Sequence, residues 1–139
     1  MTTSNFLDRV LSTDEGTGAL ALRIPVGIIF AAHGAQKLFG ILGGLGASGE
    51  SAPLLSLMGF AGLIEFFGGL LIMVGWLTGY VAFIASGEMA AAYFMGHYPR
   101  GFWPILNNGE PAVLFCFIFL YMASQGAGVW SIDRSRRES

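Results

Sequence analysis

Residues 23–40 read RIPVGIIFAAHGAQKLFG, and the fold turns on how that stretch is interpreted. It is apolar enough for a helix that enters a bilayer, yet it carries Arg23, His33, Gln36 and Lys37. An Arg or Lys at the centre of a membrane helix costs roughly 2.5–3.5 kcal/mol on insertion scales. Such groups persist near the interface, beside partners, or along a polar cavity. Two later apolar segments each hold one carboxylate, Glu65 and Glu88, so charges of opposite sign are available to them. The stretch therefore predicts an all-α membrane protein: a bundle of four transmembrane helices assembled around a polar cluster.

The rest of the composition agrees. The chain of 139 residues is 54% apolar and only 12% charged, against about 25% charged in an ordinary soluble domain. Lipid is the solvent this balance expects. A net charge of −2 supplies no basic field, so no nucleic-acid partner is expected. The single cysteine, Cys116, excludes an intrachain disulfide and any paired-cysteine redox or zinc motif. MTTSNFLDRVLSTDEGTG lacks the cationic start, apolar core and small-residue site of a signal peptide, so the first apolar segment is expected to stay in the mature protein.

Taken in order, residues 1–17 form a polar N-terminal tail. Phe6, Leu7, Val10 and Leu11 give part of it the spacing of a short surface helix. The membrane domain spans 18–130. Its first segment runs from Gly18 to Phe39, about the 20 residues that 30 Å of hydrocarbon requires. Pro25 lies near the start of that segment, where a proline costs least. A glycine- and serine-rich loop over 40–53 reads as flexible, with the character of a lid. The second segment covers Leu54 to Gly75, and WLTG turns the chain into a third, Leu77 to Met95. Residues 96–110, GHYPRGFWPILNNGE, suit the membrane–water interface or a short re-entrant hairpin. The fourth segment runs from Pro111 to Trp130, and a basic tail, 131–139, ends the chain. Four spans put both termini on one side. Arg9, Arg134, Arg136 and Arg137 outnumber Arg100 and Lys37 across the bilayer, which places both termini in the cytoplasm.

At 100° per residue, Lys37 lies one turn after His33 on the same helix face, and Arg23 falls within about 40° of that stripe. Arg23 and Lys37 are about 21 Å apart along the axis, so they cannot share a partner. Glu65 lies close on the helical wheel to Gly62 and Gly69, and Glu88 shares a face with Ala85, Ala91 and Ala92. Small residues admit a neighbouring helix, so both carboxylates should face protein. They must be paired, hydrogen-bonded or protonated there. His33, Lys37, Glu65 and Glu88 are the candidate ligand or proton site, with Arg23, Gln36, His97 and Glu110 as secondary candidates. The 96–110 connection would lie above them, with Phe102 and Trp103 covering a flat ring. Static pairing that merely fixes helix neighbours explains the same charges and stays open. His97 alone reads as a solvated loop residue, and Phe115, Phe119 and Met122 as packing or lipid-facing positions. No metal site is expected, nor a phosphate loop, a nucleophile elbow or an HExxH motif.

RIPVGIIFAAHGAQKLFG, the Glu-bearing GLIEFFGGLL, Glu88, and NNGEPAVLFCFIFLYMASQGAGVWSID together resemble the DoxX family, with Asn108 where glycine is usual. The resemblance runs from Arg23 to Asp133. It implies a small bacterial or archaeal inner-membrane protein of four helices. Family members are associated with a terminal quinol oxidase system, with thiosulfate:quinone oxidoreduction and with membrane thiol and oxidative-stress systems, and the family has distant similarity to eukaryotic cargo receptors. Two functions arise as expectations. One is an accessory, quinone-interacting subunit of a membrane redox system. No intrinsic cofactor is expected, a quinone is the candidate ligand, and the electrons come from a redox-enzyme partner subunit. In that reading His33 and Lys37 donate to the quinone oxygens and Glu65 or Glu88 relays protons. The alternative is a non-catalytic membrane module, either a small-molecule or proton permease or an assembly factor. Small-residue faces such as Gly75 with Gly79 leave homo-oligomerisation open.

Overall fold

The structure, a computed structural model, describes residues 16–139. The amphipathic stretch from Phe6 to Leu11 lies outside the described residues. Among the described residues six α-helices occur in order: α1 (Thr17–Phe39), α2 (Leu57–Val74), α3 (Thr78–Ala92), α4 (Pro104–Asn107), α5 (Glu110–Gln125) and α6 (Ile132–Glu138). Beyond α3 the chain stays helical through a π turn, Tyr93–His97, and a 3-10 turn, Tyr98–Arg100. No strand occurs among the described residues; Leu45 and Glu50 form an isolated bridge. α1 and α2 are each long and apolar enough to cross a bilayer, and α5 is a shorter apolar helix. The all-α membrane architecture expected from the sequence is the architecture observed.

The bundle is two tight pairs, α1 with α2 and α3 with α5, joined through α2 and α3. Glycine brings the first pair together. A Cβ on Gly27 would fall 2.8 Å from the Gly69 carbonyl oxygen, and one on Gly69 would fall 2.6 Å from that of Gly27. Gly34 meets the Phe66 backbone in the same way, and Gly62 meets Lys37 and Leu38. Backbones this close leave no room for lipid, the usual device of membrane helix contacts. In the second pair the Ser86 hydroxyl donates to the Cys116 carbonyl at 2.8 Å. Phe30, Ile72, Ala82, Ala85, Phe119 and Met122 form the buried core, and Phe30 meets Phe119 edge-on at 4.6 Å between centroids. Phe119 and Met122 are thus packing residues, and Phe115 stacks on Phe119.

Several boundaries differ from expectation for identifiable reasons. α1 begins at Thr17, so Pro25 sits inside the helix rather than in its first turn and withholds an N–H from the Ala21 carbonyl. α2 begins at Leu57 because Ser56 caps it, its hydroxyl accepting from the Gly59 N–H at 3.1 Å. The 40–53 loop is tied down: Leu45 N–H donates to Glu50 O, Ala52 N–H to Lys37 O and the Gln36 amide to Leu42 O.

The segment 131–139 is not an open tail. Ser131 caps α6, and Asp133 reaches back across the chain. Its N–H donates to the Gly75 carbonyl at 2.9 Å, while its carboxylate accepts from the N–H groups of Leu77 and Thr78 at 2.8 and 2.9 Å. Leu77, the residue at the cap of α3, has a left-handed backbone and makes no side-chain cap of its own. Asp133 supplies that cap from outside, satisfying donors that a helix start leaves open.

Candidate ligand cavity

α1 carries its charges to opposite ends of the bundle. At one end Arg23 is only 1% exposed. One guanidinium nitrogen donates to the Trp130 carbonyl at 2.8 Å, and Gly75 and Ser131 pack so closely that a Cβ on Gly75 would overlap it. Arg23 therefore belongs to a sealed junction of α1, the α2–α3 turn and the segment after α5.

At the other end the two helix pairs part around a cavity of about 450 Å³. α1 contributes Phe30, His33 and Lys37; α2 contributes Phe60, Ile64 and Glu65; α3 and its π turn contribute Glu88, Met89, Ala92 and His97; α5 contributes Phe115. All four primary candidates, and His97 with them, line this one space. The walls are otherwise apolar.

Lys37 Nζ lies 2.6 Å from Glu65 Oε2, and Glu65 is 3% exposed. The pair joins α1 to α2 beside the glycine contact. Lys37 also stands in the last turn of α1, where a cation favours the helix dipole. Glu88 differs: its Oε2 is buried and has no hydrogen-bond partner among the described residues. Removing a carboxylate oxygen from water without a partner is costly, and Glu88 is one of the residues that line the cavity. His33 is exposed, at the margin of the cavity.

Like Arg23, the other two secondary candidates, Gln36 and Glu110, lie outside this lining. The Gln36 amide holds Leu42, and Glu110 is exposed in the first turn of α5, where its charge complements the dipole. Phe102 and Trp103 do not cover the cavity; both are largely exposed and absent from its lining. Its aromatic walls are Phe30, Phe60 and Phe115.

Asn107, within the NNGE element, is the residue that sequence reasoning passes over. Its side chain, fully buried, donates to Gly101 O at 2.7 Å and accepts from Gly109 N–H at 2.8 Å. Tyr93, which also touches Asn107, donates its hydroxyl to Phe102 O. These bonds fold the 96–110 connection back onto α3. The available signal is the pairing of Asn107 with Asn108, whose left-handed backbone (φ 59) is one that asparagine tolerates. His97 is drawn into the same network, its Nδ1 lying 3.1 Å from Asn107 O. It is a half-buried cavity residue and not a solvated loop histidine.

Glycine-packed apolar helices that enclose a polar-ended cavity define a helical membrane protein with a buried ionisable cluster. The DoxX family model matches residues 18–98, and the chain belongs to the DoxX family. An uncharacterised protein of Haemophilus influenzae is 42% identical over 119 residues, covering 81% of this chain and 85% of its own. The inner membrane protein YqjF of Escherichia coli is 31% identical over 134 residues, covering 86% of this chain and 92% of its own. No solved structure matches the chain significantly.

Proposed function

We propose that the cavity receives the head group of a lipid-soluble quinone or quinol, and that the protein is a quinone-interacting subunit of an inner-membrane redox system. The observation that carries this reading is the juxtaposition, around one apolar space of about 450 Å³, of the Lys37–Glu65 pair with a buried Glu88 oxygen lacking a partner among the described residues. A quinone ring is flat and apolar, with oxygens at opposite edges. It needs apolar walls, a donor for each oxygen and a group that exchanges protons when the oxygens are reduced. Phe30, Ile64 and Phe115 supply walls, Lys37 and His33 donors, and Glu88 the proton-exchanging group. Electrons come from a partner subunit. The Escherichia coli relative's name supports the inner membrane as the location.

The test is mass spectrometry of lipophilic molecules retained by the protein purified in native lipid nanodiscs, for wild type and Glu88→Gln. A quinone enriched over bulk lipid in wild type and reduced severalfold in the variant is the expected result. No enrichment in wild type would overturn the proposal.

A second reading has its own support. The 2.6 Å Lys37–Glu65 contact, with one partner nearly fully buried, is also what a purely architectural pair looks like. On that reading the protein is a non-catalytic module, a permease or an assembly factor. The nanodisc experiment separates the two, because a merely architectural pair retains no quinone.

We further propose four spans with both termini cytoplasmic, on the excess of arginine at that end. Impermeant thiol labelling of Ser48→Cys and Ser135→Cys in intact cells should modify position 48 alone. Preferential labelling at 135 would reverse the topology.

A further inference from the structure

The π turn after α3 places His97 where an ordinary helix would not. Glu88 and His97 are nine residues apart, about 900° of uninterrupted α-helix, which would set them on opposite faces. Across Tyr93–His97 the hydrogen bonding lengthens, with Tyr98 N–H donating to Tyr93 O. One extra residue in the turn rotates the residues beyond it by about 100°. His97 is thereby brought round to the side of Glu88, and both line the cavity.

The ring's Nδ1 has two neighbours of opposite demand. Asn107 O, 3.1 Å away, can only accept. Arg100 Nη2, 3.0 Å away, can only donate. A single nitrogen satisfies one or the other. With the proton on Nδ1, His97 donates to Asn107 O, and its Nε2 presents a lone pair. With the proton on Nε2, Nδ1 accepts from Arg100, and Nε2 presents an N–H. Arg100 is not stranded by the first arrangement, since its Nη2 also donates to Gly96 O at 3.2 Å. With Nδ1 engaged by these groups, Nε2 is the nitrogen left for a ligand in the cavity.

We infer that His97 is a tautomer-adjusting ligand contact, which hydrogen-bonds a quinone carbonyl through Nε2–H and a quinol hydroxyl through the Nε2 lone pair, with Arg100 and Asn107 O accommodating the two forms. This rests on the quinone reading proposed above and adds to it the ability to hold both redox states at one site. No electron moves in the exchange; the imidazole stays neutral and one proton changes nitrogen.

The test uses decylubiquinone and decylubiquinol with full-length protein in lipid nanodiscs. The chain has 2 histidines, so imidazole nitrogen-15 spectra of selectively labelled protein resolve the ring, with His33→Gln assigning the pair. The His97 signals should move toward the Nε2–H form with the quinone and toward the Nδ1–H form with the quinol. Arg100→Met removes the donor from an exposed position and should weaken quinone binding by roughly three- to tenfold while leaving quinol binding unchanged. His97→Gln, which retains both a donor and an acceptor, should keep both ligands better than His97→Leu. One tautomer with both ligands, or equal weakening of both by Arg100→Met, overturns the inference while leaving the quinone site standing. Failure of wild type to bind either probe overturns the quinone reading itself, and this inference with it.

Discussion

The two ends of α1 carry the same kind of charge in opposite settings. Around Arg23 the packing is close: Gly75 lies against the guanidinium, Trp130 accepts from one of its nitrogens while Nε and Nη1 are buried without a partner among the described residues, and Asp133 closes the adjacent helix start. Around Lys37 the pairing is equally short, but the space beside it is open and a second carboxylate, Glu88, has an oxygen without a partner among the described residues. Three chain segments converge on the first end, whereas two helix pairs diverge at the second. A buried charge in a membrane bundle is therefore not informative by itself. The distinction between an architectural charge and a site is whether the surrounding backbone is used up.

The sharpest way to break this comparison is to force a side chain into the closed end. Gly75→Val adds a Cβ where the Arg23 guanidinium lies, at a backbone φ of +71°. Left-handed strain costs about 1–3 kcal/mol and overpacking a further 1–3 kcal/mol or so. Size-exclusion profiles should show loss of the monodisperse protein, while Gly87→Val, which meets open space, behaves as wild type. A normal profile for Gly75→Val would mean that the Arg23 junction is loose.

Next in size is the pair at the open end. Lys37→Met strands Glu65 in the bundle, and breaking a buried pair from one side costs about 3–5 kcal/mol. The double variant Lys37→Met with Glu65→Leu should recover most of that loss in thermal unfolding monitored by circular dichroism. If the double variant is no more stable than the single one, the two residues are not coupled as the 2.6 Å contact implies.

Asp133→Ala removes the cap that α3 borrows from the C-terminal segment, a loss of about 0.5–2 kcal/mol. The same unfolding measurement reads it, together with faster amide exchange at Leu77 and Thr78. Unchanged exchange there would show that the cap is dispensable.

The smallest effect on stability belongs to Glu88→Gln. Its Oε2 has no hydrogen bond to lose among the described residues, so the unfolding midpoint should match wild type or rise slightly, while quinone retention falls. A clear destabilisation would instead place Glu88 among the architectural charges.

Much of this is legible in the chain. The stripe of Arg23, His33 and Lys37 foretells a helix that must face protein, and Gly62 and Gly69 beside Glu65 foretell which side of α2 meets it. These are local readings: a wheel of 100° per residue suffices. Asp133 and Asn107 are harder because their roles concern backbone groups, and backbone donors leave no residue type to match. Asp133 caps a helix that begins 55 residues earlier, and no periodicity reports such a meeting. His97 escapes a regular wheel because the π turn shifts the register after Tyr93 and moves it to another face. Phe102 and Trp103 suggest a cavity cover by aromatic character, which serves equally well at a lipid boundary.

The Arg23 junction also bears on how the protein is made. Arg23 belongs to the first helix to leave the ribosome among those described, yet the carbonyl that accepts its hydrogen bond is that of Trp130, 107 residues later. Throughout synthesis the nascent α1 holds a cation whose native acceptor does not yet exist. Insertion of that helix is thus separated in time from its completion, and a chain stopped at Gln125 would carry the arginine without the Trp130 carbonyl or the Asp133 carboxylate nearby. Until those last residues are made, the bundle carries the full cost of a cation without its native acceptor.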